Sequence, residues 1–172
     1  MQKRIMLIGS GTDAKAANDM DLSLFTVCAI NTAWSVPQKL DYHIYAMDWI
    51  KNDEFYPLLK LRDEQRITAL EYDGAEQRRH FGRQEVGIGA TMFFNAAYWI
   101  LGNLEPSEIY FAGCSMDYPG GKANTFYGAG NADPLRFTTE YLTGCFEKFA
   151  EHAKKRNCQL INIGSKNGLM PY

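Results

Sequence analysis

The sequence predicts an α/β fold: a mainly parallel sheet covered on both faces, so three layers deep. Three observations predict it. Short runs at 4–8, 25–30, 42–47, 108–112 and 159–163 are apolar without a clean polar alternation, as strands buried on both sides should be. Helical patterns separate these runs. Most of the runs stop at Gly, Asn or Asp, the residues of tight strand-to-helix turns.

Taken in order, Arg4–Ile8 is the first strand and ends in Gly9-Ser10-Gly11. The Ala-rich stretch 12–20 follows as a short helix, with Thr12 and Asp13 as candidate N-caps. The second strand is 25–30 (FTVCAI). The third is 42–47, stopping at Asp48. A helix over 51–60 and a weaker strand over 66–70 come next. The polar stretch 71–83, with arginines in and around it, has little core signal and reads as a loop over the sheet. Gly87 to Thr91 opens a strongly apolar segment, 92–101, whose length and glycine-rich start favour a buried helix over a strand. Residues 108–112 (EIYFA) form a strand ending at Gly113. A Gly- and Asn-rich loop runs over 120–134. The clearest helix spans 136–156, where Phe137, Tyr141, Leu142, Cys145, Phe146, Phe149 and Ala153 recur at three and four. The last strand, 159–163, ends in Gly164-Ser165.

The chain has 172 residues, 46% of them hydrophobic and 22% charged. That suits one α/β domain over 1–172 with a real core and argues against disorder. A net charge of −2 argues against a dedicated nucleic-acid or anionic-membrane binder. No apolar run reaches the length of a membrane span. The apolar start is too short for a signal peptide and reads as a strand. Cys28, Cys114, Cys145 and Cys158 fit no zinc pattern, so they are expected to be reduced core thiols of a cytoplasmic protein. Of the histidines, His43 is expected packed inside its strand and His152 exposed on the long helix, while His80 sits among arginines. Trp34, Trp49, Phe55 and Tyr56 leave a homo-oligomer open, although scattered aromatics are as often core.

Parallel sheets bind ligands beyond the carboxyl ends of their strands, where the strand order reverses. The residues that follow each strand are therefore the candidates. In Gly9-Ser10-Gly11-Thr12 the glycines let backbone N–H groups approach an anion. The stretch is neither a full GxGxxG, since position 14 is Ala, nor a Walker A loop. A plain tight turn is the alternative. Asn31 offers an amide to a ribose, base or phosphate, or simply closes a turn. Asp48 suits Mg²⁺ or a sugar hydroxyl, or caps the next helix. Gly89 and the Thr91 hydroxyl head the buried helix as a second anion cradle. Ser115 and Asp117 follow the Gly113 turn, with Asp117 the first choice for a metal ligand or general base, against a solvated turn residue. The loop 118–135 carries Lys122, Tyr127 and Asp133 in a mix suited to substrate contacts.

Together these residues resemble a known pattern. Gly9-Ser10-Gly11-Thr12, then Asn31, then Asp48, is similar to the start of the bacterial sialyltransferases of glycosyltransferase family 42. It is also similar to the related 6-hydroxymethyl-dihydropterin pyrophosphokinases and flagellin-modification factors. The stretch from Gly89 through Leu101-Gly102, the strand 108–112 with Gly113 and Asp117, and the closing 159–165 resemble later blocks of the same families. The resemblance implies a single Rossmann-like, GT-A-type domain with a nucleotide at the switch in strand order. The nucleotide would be a CMP-linked sugar donor in the transferases, or ATP with Mg²⁺ in the pyrophosphokinases. By that likeness Gly9, Ser10, Gly11, Asn31 and Thr91 contact nucleotide, Asp117 lies at the base or metal, and Ser165 lies near phosphate or ribose. Two departures stand out. The sialyltransferases carry a histidine base before the long helix, and 125–133 holds none. Tyr127 is then left to steady a leaving phosphate, with Asp133 or Asp117 as substitute base. The chain is also much shorter, which reduces the acceptor lid to 62–85 and 118–135. The expected activity is nucleotide-dependent transfer, sialyltransferase-like glycosyl transfer first. Pyrophosphoryl transfer with Asp48 and Asp117 on Mg²⁺ is the second reading, and a non-catalytic nucleotide-binding or assembly protein is the third.

Overall fold

The computed structural model describes residues 3–46, 61–68, 91–117, 124–129 and 139–172. Six parallel strands make one sheet: β1 (Arg4–Ile8), β2 (Thr26–Ile30), β3 (Tyr42–Ile44), β4 (Arg66–Ile67), β5 (Glu108–Ala112) and, last in the chain, β8 (Gln159–Asn162). Their spatial order is β4-β3-β2-β1-β5-β8. The chain thus builds outward from β1 to one edge. It then returns to lay β5 on the other side of β1, in register Ile5 to Ile109 and Ile8 to Ala112. The order reverses between β1 and β5. A two-stranded hairpin, β6 (Asn124–Thr125) and β7 (Gly128–Ala129), stands apart from this sheet, inside the stretch the sequence reads as loop.

Alternate residues of each strand feed two cores, as the pleat requires. Ile5, Leu7, Cys28, Ile30, Ile109 and Phe111 face a core made with the helices α1 (Met92–Asn103) and α2 (Thr139–Lys155). Met6, Ile8, Val27, Ala29 and Ala112 face the second core, roofed by Ala14, Ala17 and Ala33. The expected helix over 12–20 is a 3-10 segment, Ala14–Asp19. Small alanines let this tight turn lie flat on the sheet, and two further 3-10 turns, Leu22–Leu24 and Asn31–Ser35, lie in the same layer. The protein is therefore a three-layer, Rossmann-like α/β fold; among the described residues, true helices lie on one face and short turns on the other.

Helix α1 buries every residue from Phe93 to Leu101, as a helix apolar all round must. Phe93 reaches Phe111 of β5 and Phe146 of α2, with ring centroids 5.5 and 5.4 Å apart. Helix α2 is amphipathic. Leu142, Phe146, Phe149 and Ala153 are buried, while Glu147, Lys148 and Glu151 face solvent. Tyr141, expected on the apolar face, is instead 50% exposed, one position off the buried stripe. His152 is half-buried rather than exposed, edge-on to Tyr98 at 5.8 Å. Asn157 ends α2 in the left-handed region (φ 54°), and the Cys158 N–H returns to the Ala153 carbonyl at 2.9 Å. All four thiols are buried. The expected helix 51–60, the polar stretch 71–83, Trp49, Phe55, Tyr56 and Phe137 lie outside the described residues.

Both helices run into a following strand's amino end, so their own amino ends lie at the carboxyl edge of the sheet. No helix among the described residues is long and apolar enough to cross a membrane.

Candidate functional site

The carboxyl ends of β1 and β5 meet in a knot of backbone. The Gly9 N–H donates to the Ala112 carbonyl and the Gly11 N–H to the Gly113 carbonyl, each at 2.8 Å. Gly113 is left-handed (φ 67°), and a Cβ there would overlap the Gly9 carbonyl and meet the Ala14 methyl at 2.8 Å. These glycines therefore serve contact between two strand ends. The N–H groups of Gly9 and Gly11, read from sequence as anion donors, already have backbone acceptors.

Ser10 and Thr12 differ from them. The Ser10 carbonyl accepts the Phe126 N–H at 3.1 Å, which seats the β6–β7 hairpin over the turn. The N–H and hydroxyl of Ser10 and of Thr12 have no protein partner among the described residues. Thr12 is exposed and Ser10 half-buried. Tyr127, at the hairpin turn, is 53% exposed and packs edge-on against Phe126 at 5.1 Å.

The turn after β5 continues through Cys114 and Ser115 to Asp117. Ser115 is buried, with its hydroxyl 3.4 Å from Asp13 Oδ1 and its carbonyl accepting the Met170 N–H at 3.3 Å. Met116 is left-handed (φ 51°), a costly conformation for a long side chain that packing on the core holds in place. Asp117 follows, half-buried, and its carboxylate has no partner among the described residues.

Ser165, after β8, reaches the same place. Its N–H donates to Asp13 Oδ2 at 2.5 Å, its hydroxyl accepts the Asn167 N–H at 3.1 Å, and its carbonyl accepts the Asn162 amide at 3.0 Å. Asp13 is the residue that sequence reasoning missed. It reads as an N-cap, yet its side chain makes no capping bond. It joins the loops after β5 and β8 to the loop after β1. An Asp placed a few residues after a strand in a glycine-rich turn was the only signal available.

Asn31 ends β2 on the other side of β1. It is left-handed (φ 46°), and its Oδ1 accepts the Ala46 N–H at 3.1 Å. Its carbonyl accepts from His43 Nε2 at 2.8 Å, and since a carbonyl can only accept, Nε2 carries the proton. His43 is fully buried, and desolvation holds its imidazole down to about 4. The Arg66 charge pushes the same way and the Asn31 carbonyl opposes. Thr91 caps α1, its hydroxyl accepting the Phe94 N–H at 3.4 Å. By the direction of α1, Thr91 lies at the carboxyl edge too. Burial pushes the Cys28 and Cys114 thiols well above their ordinary value, so neither is a nucleophile at neutral pH. Asp48, Gly89 and Asp133 lie outside the described residues.

The structure thus ties Ser115 and Ser165 to Asp13 and places Ser10, Thr12 and Asp117 in the loops that follow β1 and β5, with Asn31 and Thr91 elsewhere along the same edge. Among the described residues, no three His, Cys, Asp or Glu side chains converge to hold a metal ion. Two cavities formed by described residues, of 510 and 260 Å³, lie at the opposite, amino end, beside Cys158 and beside Glu105. Comparison with protein-family models, with curated proteins and with solved structures finds no match to this chain.

Proposed function

We propose that the protein binds a nucleotide-linked sugar at the carboxyl edge between β1 and β5 and transfers the glycosyl group to an acceptor hydroxyl. The observation that carries this reading is the Asp117 carboxylate. It is half-buried in the loop after β5 and has no partner among the described residues. Open donors on Ser10 and Thr12 suit a donor phosphate, a role the Gly9 and Gly11 N–H groups have given up.

In the transfer, the acceptor oxygen forms a bond to the anomeric carbon. The bond from that carbon to the phosphate oxygen breaks, and the nucleotide leaves with the electron pair. Asp117 takes the acceptor's proton. Ser10 and Thr12 donate to the phosphate as its charge grows, and Tyr127 stands on the hairpin that rests on Ser10. The family resemblance favours a CMP-linked donor. Four buried thiols, none of them paired, suit a reducing, cytoplasmic setting.

The test is a thermal-shift panel of CMP, UDP, GDP and ATP with and without Mg²⁺, followed by Asp117→Asn. Stabilisation by CMP without metal is expected. Asp117→Asn should then lower turnover about 100-fold or more while leaving the nucleotide shift in place. Stabilisation by ATP only with Mg²⁺ would move the reading to pyrophosphoryl transfer. No shift with any nucleotide would leave an assembly protein. Unchanged turnover in the variant would remove Asp117 as the base.

A further inference from the structure

Asp13 sets its carboxylate between the loops that follow β5 and β8. Its Oδ2 takes the Ser165 N–H at 2.5 Å and its Oδ1 lies 3.4 Å from the Ser115 hydroxyl. Both donors belong to loops at the carboxyl edge of the sheet, one or two strands from β1. Position 164 is glycine for the same reason: a Cβ there would overlap the Asp13 carboxylate, with Asn162 Oδ1 next nearest at 3.3 Å. The Asn162 side chain shapes the turn that presents these donors, accepting the Gly164 N–H and donating to the Ser165 carbonyl, both at 3.0 Å. No Lys or Arg pairs with Asp13 in an ion pair among the described residues. Its charge is therefore met by neutral donors alone, as a bound phosphate's would be.

We infer that the Ser115 hydroxyl and Ser165 N–H form a phosphate site, and that the Asp13 carboxylate occupies it as a built-in competitor. A phosphate group entering from the Ser10–Thr12 side meets donors already engaged and a negative charge beside them. Its affinity is set by the cost of moving that carboxylate away. The ligand class is a phosphate oxyanion, free or carried on a nucleotide. The inference extends the proposed nucleotide reading to the control of the same edge, and it also stands without glycosyl transfer.

The experiment measures binding of inorganic phosphate and pyrophosphate by titration calorimetry, with CMP in parallel, to the full chain and to Asp13→Asn. The amide keeps the size of the carboxylate and an acceptor for the Ser165 N–H, so the fold is retained, which circular dichroism verifies. Removing a charge next to an incoming anion should raise phosphate and pyrophosphate affinity about tenfold or more. Adding Ser115→Ala to Asp13→Asn should cancel at least half of that gain on a logarithmic scale. Equal affinity of the full chain and Asp13→Asn for both anions, or a gain indifferent to Ser115→Ala, would overturn the inference. If the full chain binds CMP and Asp13→Asn changes nothing, the internal anion is wrong and the nucleotide reading survives. If only Asp13→Asn binds, and it binds phosphate, the internal anion is right and the transferase reading falls. Loss of fold in Asp13→Asn would pass the decision to Ser115→Ala alone, which should weaken binding in the full chain at least threefold; no change there would also overturn the inference.

Discussion

Asn31 and His43 fasten the ends of two strands to each other. The left-handed backbone at Asn31 turns its carbonyl to His43 Nε2 and its side-chain oxygen to the Ala46 N–H. Sequence reasoning offered Asn31 as either a ligand contact or a strand-end turn; its backbone does start a turn, and its side-chain oxygen is taken by the Ala46 N–H beyond β3. His43 carries a pH prediction. Its folded value, about 4, lies below the ordinary 6.5 because burial disfavours the charged ring. The unfolded chain therefore binds the proton first as pH falls. Stability from this group is full above about pH 6.5, is lost on descending toward 4, and levels off below. Between pH 7 and pH 5 the loss should be about 2 kcal/mol. Urea denaturation at both pH values checks it: His43→Gln should show a markedly smaller drop than the parent, and an equal drop would refute the assignment.

Glycines act at the scale of elements, and they divide into two kinds. Gly113 sits left-handed where β5 ends, against the Gly9 carbonyl and Ala14. Gly113→Ala brings both backbone strain and overlap with main-chain atoms, so it should cost about 3 kcal/mol or more. Gly144 lies inside α2, and among the described residues no atom outside its own helix backbone comes within 4 Å of where an added methyl group would sit. Gly144→Ala should stabilise by about 0.5–1 kcal/mol, because a helix interior favours alanine. Chemical denaturation of the two variants against the parent measures both, and a stabilised Gly113→Ala would mean that β1 and β5 do not meet as described. The same element scale explains the 12–20 segment. Its alanines have high helix propensity, but a layer pressed on the sheet at Ala14 and Ala17 admits a short 3-10 turn. Helix α2, with an unbroken apolar stripe, was legible because period alone defines it; Tyr141 was misjudged because it borders that stripe.

For the whole molecule, the order β4-β3-β2-β1-β5-β8 puts β2 and β1 at the centre with β5 beside β1, each hydrogen-bonded on both sides, and among the described residues leaves β4 and β8 at the edges. Local opening starts where fewest bonds must break. Hydrogen exchange followed by mass spectrometry should therefore show β1 and β5 protected to the level of global unfolding, with β8 exchanging earlier. Equal protection across the sheet, or faster exchange in β1, would contradict the central placement. Placing β1 and β5 side by side also sets the carboxyl edge on which the proposed function depends, and it lies at the opposite end from the cavities beside Cys158 and Glu105.

The amino-acid sequence by itself determined the six strands of the parallel sheet in outline, the two helices α1 and α2, and the α/β class. These follow from local hydrophobic period and from turn residues, both of which are written in neighbouring positions. It also drew attention to the strand ends. Only the tertiary structure decided which ends are adjacent, and therefore which donors are still free. Gly9 and Gly11 are engaged by carbonyls about a hundred residues away, and Asp13 by a backbone N–H 152 residues away. Hydrogen bonds across such separations depend on how the strands are ordered, and no local pattern of residues encodes that order.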